Sequence, residues 1–198
     1  MTGASIRRGG QAVLPTGELI VWSIADGRRG RRWREVVSAD GTVVRAVLIE
    51  SDQAGRLTRL EIATAAGLLT LHPDGEGTLL HGNVVTPAGI RHLTFDRTTV
   101  LVDGSPGSAA ILVAGMADVM EVGAWTRIEL VWLDDRLVPT AAPWAVSRIE
   151  PRAWRLVAMP AADGGGGPGS GGGGGERIVR IDEDGLPTLA GDAWPLEI

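Results

Sequence analysis

The sequence predicts a mainly β protein: a single curled antiparallel sheet, a β-roll or half-barrel, with at most one or two short helices. Three observations lead there. The apolar runs are short and are broken by turn residues about every ten positions, the rhythm of strands that pair in sequence order. Several runs alternate apolar and polar side chains, which is the period of a strand with one wet face. No helical pattern of roughly 10–15 residues separates one run from the next, as parallel βαβ units require.

The elements follow in order. Residues 1–16 are polar and glycine-rich without periodicity and read as a disordered N-terminal arm, leaving 17–198 as one β domain. Residues 18–24 form the first apolar run. Runs 33–37 and 42–49 flank Asp40-Gly41, a strong hairpin signal, because a type I′ turn needs positive φ at both central residues. The basic cluster of Arg28, Arg29, Arg31, Arg32 and Arg34 reads as a solvated hairpin loop in preference to an anion site. In 57–62, Leu60 and Ile62 point one way and Leu57, Arg59 and Glu61 the other. Turn signals at Ala66-Gly67, Pro73-Asp74-Gly75, Thr86-Pro87 and Asp103-Gly104 mark off further strands at 68–71, 78–80, 90–95 and 100–102.

Residues 108–123 are the best helix candidate, with Ser108 as cap, although Gly115 and the β-branched residues leave a strand as the alternative. Residues 127–133 read as a strand, Pro139 and Pro143 as marks of an irregular or edge segment, and 145–149 and 154–159 as two more strands. Residues 164–175, GGGGPGSGGGGG, have the composition of a flexible loop. The stretch after it is too short to hold a core of its own. Residues 177–181 are therefore expected to pair with 154–159 across the loop, since closing it costs only about 0.6 kcal/mol per doubling of length.

Composition narrows the function. Of 198 residues, 44% are hydrophobic, enough for a sizeable core, but no apolar run nears the ~20 residues that span a bilayer. No apolar stretch follows the N-terminal arginines, which argues against a cleaved secretory signal and for a cytoplasmic location. The absence of cysteine excludes disulfides, thiolate metal sites and cysteine nucleophiles. All 19 basic residues are arginine and the formal net charge is −5, a poor balance for binding phosphate backbones, so no nucleic acid partner is expected.

Motifs for chemistry are missing. His72, His81 and His92 have spacings that fit no zinc motif, and no metal is expected. Gly104-Ser105-Pro106-Gly107 lacks the Gly-x-Ser-x-Gly nucleophile pattern. The carboxylates Asp134-Asp135 and Asp182-Glu183-Asp184 lie in turns, where they organise backbone N–H groups. Neither a catalytic residue nor a cofactor is expected, and the chain reads as a non-enzyme.

Tryptophan is the informative residue. There are seven, against one Phe and no Tyr. Core packing accounts for such residues in general. Those on or beside strands, Trp22, Trp33, Trp125 and Trp132, are also candidates to line a ligand face. Around Trp132, residues Ile128 and Leu130 share its face, while Glu129, Val131 and Leu133 form the other. A second face this apolar suits a hydrophobic groove or a sheet covered by another layer.

Several stretches together resemble a known family. They are Leu57-Thr-Arg-Leu-Glu-Ile62 leading to Leu69-Thr-Leu-His-Pro-Asp-Gly-Glu-Gly77 and His81-Gly82; residues 143–156 with Arg148-Ile149 and Trp154-Arg155; Val179-Arg-Ile-Asp-Glu-Asp-Gly-Leu186 with Trp194-Pro195; and Trp22. Their order and separation are similar to the bacterial glycolipid-binding family, formerly a domain of unknown function, whose label rests on its shape. The middle departs from the family, which has Thr-Pro and Asn-Thr-Leu-Pro where this chain has His92-Leu-Thr-Phe-Asp96 and Asp103-Gly-Ser-Pro106. The resemblance implies a curled antiparallel sheet shaped like the half-barrels of lipoprotein carriers. It further implies binding of a lipid or glycolipid-like amphiphile on the concave face; with no catalytic motif and no spanning run, that binding is expected to be non-enzymatic and without stable membrane insertion. The tryptophans above would line that face and Arg59 would meet a head group. The alternative is a protein-interaction or scaffold β domain with a filled core and no small ligand.

Overall fold

A computed structural model describes residues 7–14, 16–160 and 175–188. The described residues divide into two compact units, one of residues 7–14, 16–96 and 135–137 and the other of 97–134, 138–160 and 175–188. The mainly β, antiparallel class is as expected. The strands, however, fall into two sheets, one in each unit.

The first unit holds an eight-stranded antiparallel meander. Its strands are β1 (Arg7–Val13), β2 (Leu19–Gly27), β3 (Gly30–Ala39), β4 (Thr42–Ser51), β5 (Leu57–Thr64), β6 (Gly67–Pro73), β7 (Leu80–Thr86) and β8 (Gly89–Phe95), each beside its sequence neighbours. Alternation builds it: in β2, Ile20, Trp22 and Ile24 are buried while Leu19, Val21 and Ser23 are exposed. Leu60 and Ile62 are buried as the alternation in β5 requires, with Arg59 on the opposite face. The β3–β4 turn has the expected form, with φ of 49° at Asp40 and 76° at Gly41, the left-handed values of a type I′ turn. The arginine cluster spans the β2–β3 hairpin, where Arg31 pairs with Asp26 at 2.7 Å and Arg32 with Glu50 at 2.5 Å.

The N-terminal arm is a correction. Residues 7–13 are strand β1, paired with β2 from Arg7↔Ala25 to Val13↔Leu19. Their glycines hid it. Gly9 and Gly10 are buried, and a Cβ at Gly10 would lie 2.9 Å from the Trp22 ring, so the strand is glycine-rich where a ring covers it.

The second unit holds a five-stranded half-barrel sheet in the order β13-β12-β11-β10-β9. These are β9 (Val100–Val102), β10 (Trp125–Leu133), β11 (Pro139–Glu150), β12 (Ala153–Ala158) and β13 (Arg177–Arg180). The pairing across the glycine segment is as expected: β12 and β13 run antiparallel from Ala153↔Arg180 to Leu156↔Arg177. The glycine segment itself lies outside the described residues up to 174.

Three expectations need correcting here. First, the helix, α1 (Pro106–Ala114), is capped by Ser105, whose Oγ accepts from the Ser108 N–H at 3.1 Å, not by Ser108. The Ser108 hydroxyl is instead buried, accepting from Val102 N at 3.0 Å and tying the helix to β9. Second, β9 and β10 are parallel, so β9–α1–β10 is one short βαβ crossover. A nine-residue helix after a three-residue strand is below the length at which periodicity signals such a unit. Third, β11 is an interior strand despite its prolines. In an antiparallel ladder the N–H and C=O of one residue face the same neighbour. The Pro143 carbonyl accepts from Met159 N, just past the end of β12, so the missing N–H falls where that ladder has ended.

Candidate functional site

The proposed ligand residues separate into two settings. Trp22 and Trp33, on adjacent strands of the first unit, stack with ring centroids 5.0 Å apart and planes 7° from parallel. Both are buried. The Trp33 Nε1–H donates to Glu35 Oε2 at 2.9 Å. Glu35, only 1% exposed, lies two residues along β3 on the same face and directly opposite Trp22. Arg45 shares that face, opposite Val37 on β4, which places it diagonally from Glu35, within reach of a long side chain. The sheet face is thus apolar with a buried acid built into it, a feature the sequence reading missed because Trp-Arg-Glu reads as a surface alternation.

Arg59 is not part of this face. It lies on the solvent side, where its guanidinium bonds Glu61, and that bond raises its pKa. Trp125 opens β10 and is 66% exposed. Arg59 is therefore not brought together with Trp22 and Trp33, and Trp125 belongs to the other unit.

Trp132 belongs to a second cluster, in the other unit. Residues Ile128, Leu130 and Trp132 of β10 share a face with Trp144 of β11 and Trp154 of β12, and Ala109, Ala110 and Val113 of α1 pack against it. Trp132, Trp144 and Trp154 are 8%, 0% and 0% exposed. The Nε1–H of each is buried with no acceptor among the described residues. Arg148 lies over the Trp154 ring at 5.3 Å and Arg177 over Trp144 at 5.6 Å. Both guanidiniums are also anchored, Arg148 by the carbonyls of Ala117 and Met120 at 2.7 and 2.6 Å and Arg177 by Asp103. On the opposite face of β10, Val131 and Leu133 are fully buried, while Glu129 is exposed and bonded to Arg127. Sequence reasoning found Trp132 but passed over Trp144 and Trp154, the first because Pro143 beside it suggested an edge.

The histidines lie on the solvent face of the first unit. His72 stands opposite His81, and His92 bonds Asn83 at 2.6 Å. Among the described residues, no group of three or more His, Asp or Glu side chains could hold a metal ion, and no helix is long and apolar enough to cross a membrane.

These features define a class: a mainly β protein with an eight-stranded antiparallel meander and a five-stranded, helix-covered sheet, both rich in buried tryptophan. The same fold is found in the crystal structure of a DUF1089-family protein from Pseudomonas aeruginosa, with a TM-score of 0.53 and 14% sequence identity over 94% of this chain and 89% of that one. No family model matches the sequence, and comparison with curated proteins gives no match.

Proposed function

We propose that the protein binds a lipid or glycolipid-like amphiphile without transforming it, on the helix-covered face of the five-stranded sheet. The supporting observation is the set of three buried indole N–H donors without acceptors among the described residues, in a surround that is apolar apart from the Arg148 and Arg177 guanidiniums. Leaving such a donor unsatisfied costs about 1–3 kcal/mol, and each buried orphan calls for an explanation such as a bound group. An amphiphile supplies both requirements, hydrocarbon for the apolar wall and oxygen acceptors for the indoles. The resemblance of the sequence to the glycolipid-binding family points the same way.

Native mass spectrometry of freshly purified protein tests this reading. It expects a mass excess that organic extraction removes and that Trp144→Phe and Trp154→Phe diminish. Bare protein mass from repeated preparations, with nothing in the extract, contradicts it.

The second reading, an interaction domain with a filled core, is favoured by the near-complete burial of Trp22 and Trp33 in a closed stack. It expects the bare mass throughout.

A further inference from the structure

We propose that the solvent face of the eight-stranded sheet is a self-association surface, on which a second copy of this chain packs face to face. The inference does not depend on the amphiphile reading.

The strand registers carry it. On the outer face Gln11 stands opposite Val21, Val21 opposite Val36, and Val36 opposite Ala46. The same row continues from Ala46 to Ala63, Leu68, Val85 and Ile90. One unbroken line of aliphatic side chains therefore crosses β2 to β8, about 30 Å long at the usual strand spacing. Each larger member is well exposed: Val21, Val36, Leu68 and Val85 at 39–42% and Ile90 at 65%.

The face is graded. Two residues along the strands, the next row runs Ser23, Arg34, Leu48, Glu61, Thr70 and Asn83. The row beyond that brings Arg32, Glu50 and Arg59 side by side, with His72 and His81 further across the sheet. Charge thus gathers towards one end of the strands and the apolar line lies towards the other.

Area and charge select the occupant. With Val13, Leu19 and Val43 beside it, the line exposes on the order of 700 Å², against roughly 800 Å² per partner in a standard interface. No member of the line is basic, which counts against an anionic membrane or nucleic acid, both of which need lysine or arginine at the contact. A two-fold arrangement covers the same patch on both copies. Two sheets stacked about 10 Å apart interdigitate such branched side chains and leave the arginine rows in water. The two-fold axis would pass near Ala63, towards the middle of the line.

Sedimentation equilibrium over a hundredfold dilution tests this on the full chain. The expected result is a dimer that Leu68→Glu with Val85→Glu weakens about 100-fold or more, because a buried charge would lack a partner. Thr94→Glu, in the polar part of the same face, should leave it intact. The protein has no cysteine, so Ala63→Cys gives a single thiol that should form a disulfide-linked dimer on mild oxidation, which keeps the test decisive if the glutamate variant does not fold. A monomer at every concentration, a dimer indifferent to the glutamates, or no cross-link at Ala63→Cys would overturn the proposal. So would monomeric protein that co-sediments with phosphatidylcholine vesicles through Leu68.

Discussion

The two sheets bury tryptophan in opposite ways. In the eight-stranded sheet, the Trp33 N–H is satisfied by a buried carboxylate and its ring is closed against Trp22. In the five-stranded sheet, three indoles are equally hidden but their N–H groups have no acceptor among the described residues. Burial alone therefore does not distinguish the two sets. What distinguishes them is whether the polar edge of the ring has a partner in the protein, since the net worth of a hydrogen bond is small and the cost of leaving a buried one unmade is large.

Replacing one indole in each sheet should expose that contrast most strongly. Trp33→Phe removes ring volume and takes a donor from a buried acid. It should cost about 3 kcal/mol, roughly one from the cavity and two from the lost bond. Trp144→Phe leaves a similar cavity, removes an unsatisfied donor and keeps an aromatic ring under Arg177, and should cost about 1 kcal/mol in ligand-free protein. Urea denaturation measures both, and equal losses would erase the distinction. Gly10→Ala should rank next, at about 2 kcal/mol, because the new methyl meets the Trp22 ring at 2.9 Å. It should also alter the near-ultraviolet signal of the stacked pair.

Much of the first unit was legible because each strand carries its own alternation and each turn its own residues. Asp40-Gly41 and the faces of Leu60 and Arg59 follow from local rules. Strand β1 was hidden because Gly10 answers to a ring on the next strand, which lies outside any local window. The second unit was harder. Five of the nine residues of α1 are buried (Gly107, Ser108, Ala109, Ala110 and Val113), so the helix has no polar face of the kind that makes a periodicity visible. Strand spacing counts strands but does not divide them between sheets, which is why one sheet was expected where there are two. For the site, Trp22 and Trp33 were rightly placed on neighbouring strands. Arg59 was assigned by type, whereas the alternation in β5 already put it on the wet face. The unsatisfied donors of Trp144 and Trp154 depend on what packs around them in three dimensions, and no sequence pattern carries that.

Smaller effects sharpen the picture at the turns. The Asp52 carboxyl receives a side-chain bond from Arg56 and backbone bonds from Arg56 and Ala54, which hold its pKa below the ordinary 3.8. A depressed pKa means that its contribution to stability is present above the unfolded value and is lost as the pH falls through the folded one. Carboxyl chemical shifts followed against pH should place its midpoint below 3.8, and a midpoint above that would remove the loop's anchor. Halving the glycine segment before β13 should change stability least, by about 0.6 kcal/mol in the favourable direction. A large loss on thermal melting would mean that the segment does more than connect.

The indole ¹⁵N–¹H resonances offer the most direct test, since each of the seven tryptophans gives one signal. Organic extraction, followed by re-addition of the extracted material, should move the signals of Trp132, Trp144 and Trp154 away and back, with Trp33 unmoved. If those three stay fixed while the extract is removed and returned, or if Trp33 moves in their place, the five-stranded sheet does not hold the ligand.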